Sequence, residues 1–488
     1  MIGAGVGGLA AAAALAQAGH QVSVFERAAE PGGKMRQLQV AGAGVDAGPT
    51  VFTMRWVFDQ LFEGARKALE QAVELQPASV LARHAWTDGG TLDLHASEAQ
   101  SADAIAAFAS AADARGYLAF CQRGREVYDT LRDTFMHAQR PTPIGLARRV
   151  GFSRPQALWR TAPHRSLWAA LEDYFPDPRL RQLFGRYSTY VGSSPLQTPA
   201  TLMLIAHVEQ SGVWLINGGM RALAVALQRL GEERGATYHF TCPVSEICVN
   251  SGRVSGLLLE DGRHIDADHV VYNGDVSALA AGLLGDAMRR VLPAVPRQKR
   301  GLSAVTWCLQ ARTEGFPLHY HNVFFARDYA REFKAIFGDR DIVDQPTVYV
   351  CAQDRLHGDS QSAAERLLIL INAPADGDIQ TWSADKLTMM RERALAVMSR
   401  CGLSLTFDES ACQVTSPADF AELFPGSGGS LYGRASHGMF SSFVRPGARS
   451  PMPGLYLAGG SVHPGPGVPM AALSGRLAAA ALQQDLAT

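Results

Sequence analysis

A Gly-x-Gly-x-x-Gly run opens the chain, with Gly3, Gly5 and Gly8 standing in Met-Ile-Gly-Ala-Gly-Val-Gly-Gly. Gly3 permits the tight turn from strand to helix. Gly5 lets a pyrophosphate come against the backbone, and Gly8 lets the following helix lie close on a sheet. The helix N-terminus then presents free N–H groups and the positive end of its dipole. The flanks agree: Leu9–Ala18 is Ala-rich and helix-forming, Gly19 suits its end, and Gln21–Phe25 reads as a buried strand. Glu26 closes that strand 18 residues after Gly8, where a carboxylate accepts the hydroxyls of an adenosine ribose. Together these pieces indicate a nucleotide site, for NAD or FAD. A secretory signal would need a cationic start that this chain lacks. A Gly/Ala-rich packed helix without ligand would leave Glu26 unexplained. Only Met1 and Ile2 precede Gly3, so the first strand is nearly missing. The expectation is a start several residues late, with weakened hold on the cofactor.

At 488 residues the chain is too long for one core, and two or more domains are expected. Lys+Arg 45 against Asp+Glu 46 gives no basic surplus for a nucleic-acid partner. Seven cysteines without a Cys-x-x-Cys pair suit a reducing compartment and imply neither a disulfide framework nor a metal site. No uninterrupted apolar run reaches the ~18 residues of a spanning helix, which leaves attachment to a membrane surface open.

Further loops suit a ligand. Pro31-Gly32-Gly33-Lys34 can bring backbone and ammonium near a phosphate, although a plain Pro-Gly turn reads the same way. Asp46-Ala47-Gly48-Pro49-Thr50 is a second such loop. Residues 60–235 read as mostly helical. Within them Arg148, Arg149, Phe152, Arg154, Trp159, Arg160, His164, Arg165 and Trp168 form an aromatic and basic mix that suits either a lipid headgroup layer or a solvated surface. Tyr238–Val249, Val254–Leu259 and Ile265–Tyr272 read as a β-meander with a return strand. Val305–Leu309, Val323–Ala326, Thr347–Cys351 and Leu367–Ile371 suggest a second sheet, and 381–403 an amphipathic helix. Near the C-terminus, Gly454–Gly460 reads as a strand, Ser461–Pro469 as a Gly/Pro-rich turn and Met470–Leu482 as a helix. A nicotinamide domain has no use for this second loop. A flavin does, because the helix N-terminus near Pro469 stabilises charge on the reduced ring.

Taken in order, Gly3–Gly8, Glu26, Gly32-Gly33-Lys34, Asp46–Thr50, Trp214 with Gly218-Gly219-Met220, the meander after Val244 and Gly454–Met470 resemble the carotenoid desaturases of phytoene-desaturase type. The resemblance covers essentially the whole chain. The ending Ala-Gly-Gly-Ser-Val-His-Pro-Gly-Pro-Gly-Val-Pro-Met and the loop Gly429-Ser-Leu-Tyr-Gly433 look most like the hydroxycarotenoid (methoxyneurosporene-type) 3,4-desaturases of phototrophic bacteria. The resemblance implies an α/β fold with a Rossmann-like FAD-binding domain of glutathione-reductase/amine-oxidase type. The expected parts are 1–70, 236–280 and 426–488 for FAD, 71–235 for a helical substrate and membrane-associating region, and 281–425 for a substrate domain.

The resemblance also implies FAD as cofactor, with Glu26 at the ribose and Gly3–Gly8, Gly33 and Lys34 at the pyrophosphate. Gly48, Thr50 and Val51 would lie at the flavin end, Val244 at the adenine and Asn273 at the end of the return strand. Leu431, Gly460, Val468, Pro469 and Met470 would close the pocket around the isoalloxazine. The implied substrate is a long apolar carotenoid met at the cytoplasmic face of the inner (photosynthetic) membrane. Phytoene or neurosporene desaturation, a non-redox prenyl-chain escort and an amine oxidase are the alternatives. For acid–base work the sequence offers only His463, which better suits a cap or brace within the Pro-rich loop.

Overall fold

Short parallel strands build the sheet on which the glycine loop sits. In the computed structural model, residues 1–151, 159–358 and 363–487 are described. Ser23–Phe25 pairs in parallel with Thr237–His239, and Val270–Tyr272 with Leu455–Leu457. Ile2 bridges both Phe25 and Tyr272, so Met1–Gly3 occupies the middle of the sheet. Side chains alternate across it as a pleat requires. Val24, Val271 and Tyr456 face a core shared with the helices Val6–Gln17, Gly219–Glu232 and Val468–Leu486. Phe25, Val270, Tyr272, Leu455 and Leu457 face the meander. Covering both faces is what a parallel sheet needs. The first and last helices lie so close that a Cβ on Gly475 would overlap the Gly7 carbonyl.

The meander differs from the sequence reading at two breaks. Tyr238–Val249 is two strands, Thr237–His239 and Val244–Asn250, because Thr241 turns at φ 52 and Pro243 supplies no N–H. Ile265–Tyr272 also divides. His264–Asp266 completes the three-stranded antiparallel meander, and Val270–Tyr272 crosses into the parallel sheet.

A second sheet of eight strands carries the strand-like runs read between 300 and 375. Its order is Leu403–Thr406, Ser303–Gly315, Glu365–Ala373, Val348–Ala352, His321–Phe325, Val80–Trp86 and Thr91–His95, with Cys412–Thr415 also pairing Ser303–Gly315. Residues 60–235 are therefore not helical throughout. Val80–Trp86 joins this sheet in parallel with His321–Phe325. One face, with Val305, Trp307, Phe324, Ile369 and Ile371, packs on the amphipathic helix, which spans Ala384–Arg400. The other face carries Thr306, Val323, Tyr349, Leu368 and Leu370 toward a cavity.

The helices between the two sheets bury a ring cluster in which Phe175 stacks on Phe184 at 4.6 Å and Phe120 meets both. Trp168 packs on Tyr329 and Arg165 pairs with Asp173, so both serve the fold. Trp159 stays 70% exposed, while Phe152 and Arg154 lie outside the described residues. Among the described residues no helix is long and apolar enough to cross a membrane.

Candidate functional site

A cavity of about 1260 Å³ runs from the glycine loop to the inner face of the second sheet. One drug-sized ligand takes roughly 300–1,000 Å³, so the space exceeds what a single such ligand needs. Of the cofactor-binding and acid–base residues expected from the sequence, all but Gly8 and His463 line it.

The end at the glycine loop is built around Asn273. Its Nδ2 donates to the Gly3 carbonyl at 3.4 Å. A Cβ on Gly5 would stand 2.9 Å from that nitrogen, one on Gly7 2.5 Å from Oδ1, and one on Gly8 3.0 Å from Nδ2. Gly3 itself needs φ 92, which an L side chain rarely adopts. Glu26 is buried and accepts from the backbone N–H groups of Ala4 at 2.6 Å and Ala28 at 2.8 Å. The carboxylate thus ties strand end to glycine loop. The result is a bare backbone cradle facing a cavity, beside an acceptor-rich strand end lined by Val244. That is the donor set and the clearance a dinucleotide requires.

Lys34 has a partner that the sequence did not suggest. Its Nζ donates to the Leu431 carbonyl at 2.7 Å and lies 5.1 Å from the Phe424 ring centre. Burial lowers its pKa. The backbone of Gly33 reaches the glycine loop instead: a Cβ there would stand 3.1 Å from Gly5 Cα. Asp46 is likewise engaged, accepting the Met220 N–H at 2.6 Å at the start of the helix Gly219–Glu232. Gly48 is needed because any side chain would overlap the Lys34 carbonyl. Thr50 then reaches across to the second sheet, where its Oγ1 bonds the Tyr349 hydroxyl at 2.6 Å and that hydroxyl meets His321 Nδ1 at 2.7 Å.

The C-terminal loop closes the site from the other side. Gly460, Val468, Pro469 and Met470 line the cavity at the first turn of the last helix. Arg445, which the sequence did not single out, straps this loop. Its guanidinium donates to the carbonyls of Tyr432, Arg434 and Gly460, and burial brings its pKa down to about 10. Its three acceptors are backbone groups, which no sequence pattern marks. His463 is a correction to the acid–base expectation. It is buried behind the loop, where Nε2 contacts the Phe135 carbonyl at 3.0 Å and the ring sits edge-on to Phe135. Burial depresses its pKa to about 4. It braces the loop and does not reach the cavity. Among the described residues no cluster of His, Cys, Asp and Glu could hold a metal ion.

The model of the flavin containing amine oxidoreductase family matches residues 6–483. The chain is 50% identical to the hydroxyneurosporene desaturase of Rubrivivax gelatinosus, over 100% of this chain and 93% of that one. It is 43% identical to the hydroxyneurosporene desaturase of Cereibacter sphaeroides, over 100% of this chain and 98% of that one. Cyclohexylamine oxidase from Brevibacterium oxydans superposes with a TM-score of 0.57 at 17% identity, covering 100% of this chain and 98% of that one. This last likeness concerns the fold alone.

Proposed function

The chain belongs to the flavin containing amine oxidoreductase family, and from that premise we propose that it desaturates a hydroxylated carotenoid at C3–C4. It is an FAD-dependent oxidoreductase. The observation that carries the substrate class is full-length similarity to hydroxyneurosporene desaturases. The cavity supports it, exceeding the roughly 300–1,000 Å³ that one drug-sized ligand takes and being lined largely by apolar side chains.

The cavity lining supports the following roles. The Gly3–Gly8 cradle with Gly33 would hold the pyrophosphate, Glu26 the ribose end, and Val244 would flank the adenine. Thr50, Val51, Leu431 and Gly460 would enclose the isoalloxazine. FAD, when bound, would supply a two-electron acceptor for the hydride that leaves one of two neighbouring carbons, and the hydrogen of the other carbon leaves as a proton. The first turn of the last helix leaves N–H groups at Val468 and Met470 without partners in the helix, and these favour negative charge. Val323, Leu368 and Leu370 on the sheet hold an apolar chain against that end and exclude water. The allylic position is acidified by the polyene itself, so the proton needs no strong base, and His463 lies outside the cavity lining.

The apolar substrate enters from a bilayer. Ile144, Met439, Phe440 and Val444 are exposed beside the cavity-lining Pro143, Leu146 and Phe443, which suits a mouth resting on lipid.

The test is spectroscopic. Purified protein loaded with FAD, in vesicles carrying a 1-hydroxycarotenoid, is expected to lengthen the polyene and red-shift its absorption. An unchanged spectrum from fully flavin-loaded protein overturns the reading. A panel including phytoene and neurosporene separates this substrate from others of the same class.

A further inference from the structure

The sheet end of the cavity holds polar groups that the fold leaves unpaired. Arg186 is 7% exposed and lines the cavity. Its Nη1 donates to the Tyr190 hydroxyl at 2.9 Å, and the guanidinium lies over the Tyr190 and Tyr187 rings. Glu209, the nearby carboxylate, is taken up by both tyrosines. Tyr187 donates to Oε2 at 2.7 Å and Tyr190 to Oε1. The arrangement satisfies the carboxylate and leaves Arg186 Nε and Nη2 buried without a partner. Tyr329 and Thr306 also line the cavity with unpartnered hydroxyls, 4% and 3% exposed. His321 lies behind this lining, its Nδ1 held by the cavity-lining Tyr349.

Buried polar atoms are nearly always paired, so orphans among the cavity-lining side chains mark a ligand group that the fold alone does not provide. The chemistry of that group can be read from the donors. A guanidinium only donates, so it requires an acceptor oxygen. A hydroxyl or ether oxygen at the end of an apolar chain supplies one, and a plain hydrocarbon does not. The position agrees, since Arg186 with its partner Tyr190 lines the same cavity as Thr50 and Tyr349.

We propose that Arg186 recognises the substrate's terminal oxygen, donating through Nε and Nη2, with the Tyr329 hydroxyl completing a polar end-pocket. This assignment rests on the hydroxycarotenoid reading above. The C1 hydroxyl then acts as a register mark that sets which carbons of the featureless chain lie in the reacting position. Discrimination comes from the penalty of leaving the end-pocket unpaired when the oxygen is missing.

The experiment compares a 1-hydroxycarotenoid with the analogue lacking only the hydroxyl, each in phosphatidylcholine vesicles, using FAD-loaded full-length protein. The wild type is expected to favour the hydroxylated chain at least about 100-fold in kcat/KM. Arg186→Met is expected to lower kcat/KM on that chain about 10- to 100-fold while leaving the analogue within about threefold. Tyr329→Phe, which removes one oxygen and keeps the ring, is expected to act in the same direction by about three- to tenfold. It decides the matter if Arg186→Met fails to fold. Equal losses on both substrates in the folded variants, or a wild type indifferent to the hydroxyl, overturn the end-pocket and leave the desaturase reading standing. A flavin-loaded wild type that desaturates neither chain overturns the desaturase reading, and this assignment falls with it.

Discussion

Asn273 shows how one side chain sets the identity of its neighbours. Its amide occupies the space into which Cβ atoms on Gly5, Gly7 and Gly8 would project. The Gly-x-Gly-x-x-Gly pattern is thus enforced from inside the protein as well as by the dinucleotide. Gly7→Ala would push on Asn273 Oδ1 and on the backbone at Ala471 and Gly459, in packing that cannot yield cheaply. The expected result is at least a tenfold weaker hold on FAD with unchanged far-UV circular dichroism, read by flavin titration. His463 makes a second prediction at this scale. Burial keeps it neutral, with a pKa of about 4 against about 6.5 in the unfolded chain. The unfolded state therefore binds the extra proton, and stability is lost as pH falls below about 6.5 toward 4. His463→Gln is expected to remove about 2 kcal/mol of the destabilisation between pH 7.5 and pH 5. This is measured as a smaller drop in Tm. Desaturation at pH 7.5 should stay within about threefold, since the imidazole does not reach the cavity.

At the scale of elements, the dinucleotide half was legible in the sequence because its constraints are local. A glycine loop, its helix, its strand and an acid follow one another within 26 residues. The second sheet was legible only in part. Val80–Trp86 and Thr91–His95 flank Asp88-Gly89-Gly90, a hairpin signal that the helical reading of 60–235 passed over. The strand's partner, His321–Phe325, is far away in the sequence. Arg186 was not legible at all. Its free N–H groups follow from Glu209 being claimed by two tyrosines, which is a fact of packing. Where the first and last helices cross, Gly475 abuts the Gly7 carbonyl. Gly475→Ala is expected to cost about 1–3 kcal/mol and to weaken FAD binding without touching the cavity. Chemical denaturation with and without FAD checks both.

At the scale of the whole molecule, the cavity has a cofactor end, a polar sheet end and an apolar rim. Phe440→Ser combined with Val444→Ser is expected to lower binding to phosphatidylcholine vesicles about tenfold in sedimentation. Turnover of detergent-dispersed substrate should change by less than about twofold, because the rim serves delivery and not chemistry.

The parallel sheet imposes an order on synthesis. Its last strand, Leu455–Leu457, seats against Val270–Tyr272, and the helix after it packs on the glycine-loop helix. A ribosome has released the phosphate loop long before it makes the parts that hold it. Such distant pairings are slow, and they leave apolar edges waiting for partners. Cofactor loading is therefore expected only after Leu455–Leu457 and the helix that follows have been made. A nascent chain stalled ahead of Leu455 is expected to retain no flavin and to remain a client of chaperones until the C-terminal loop arrives.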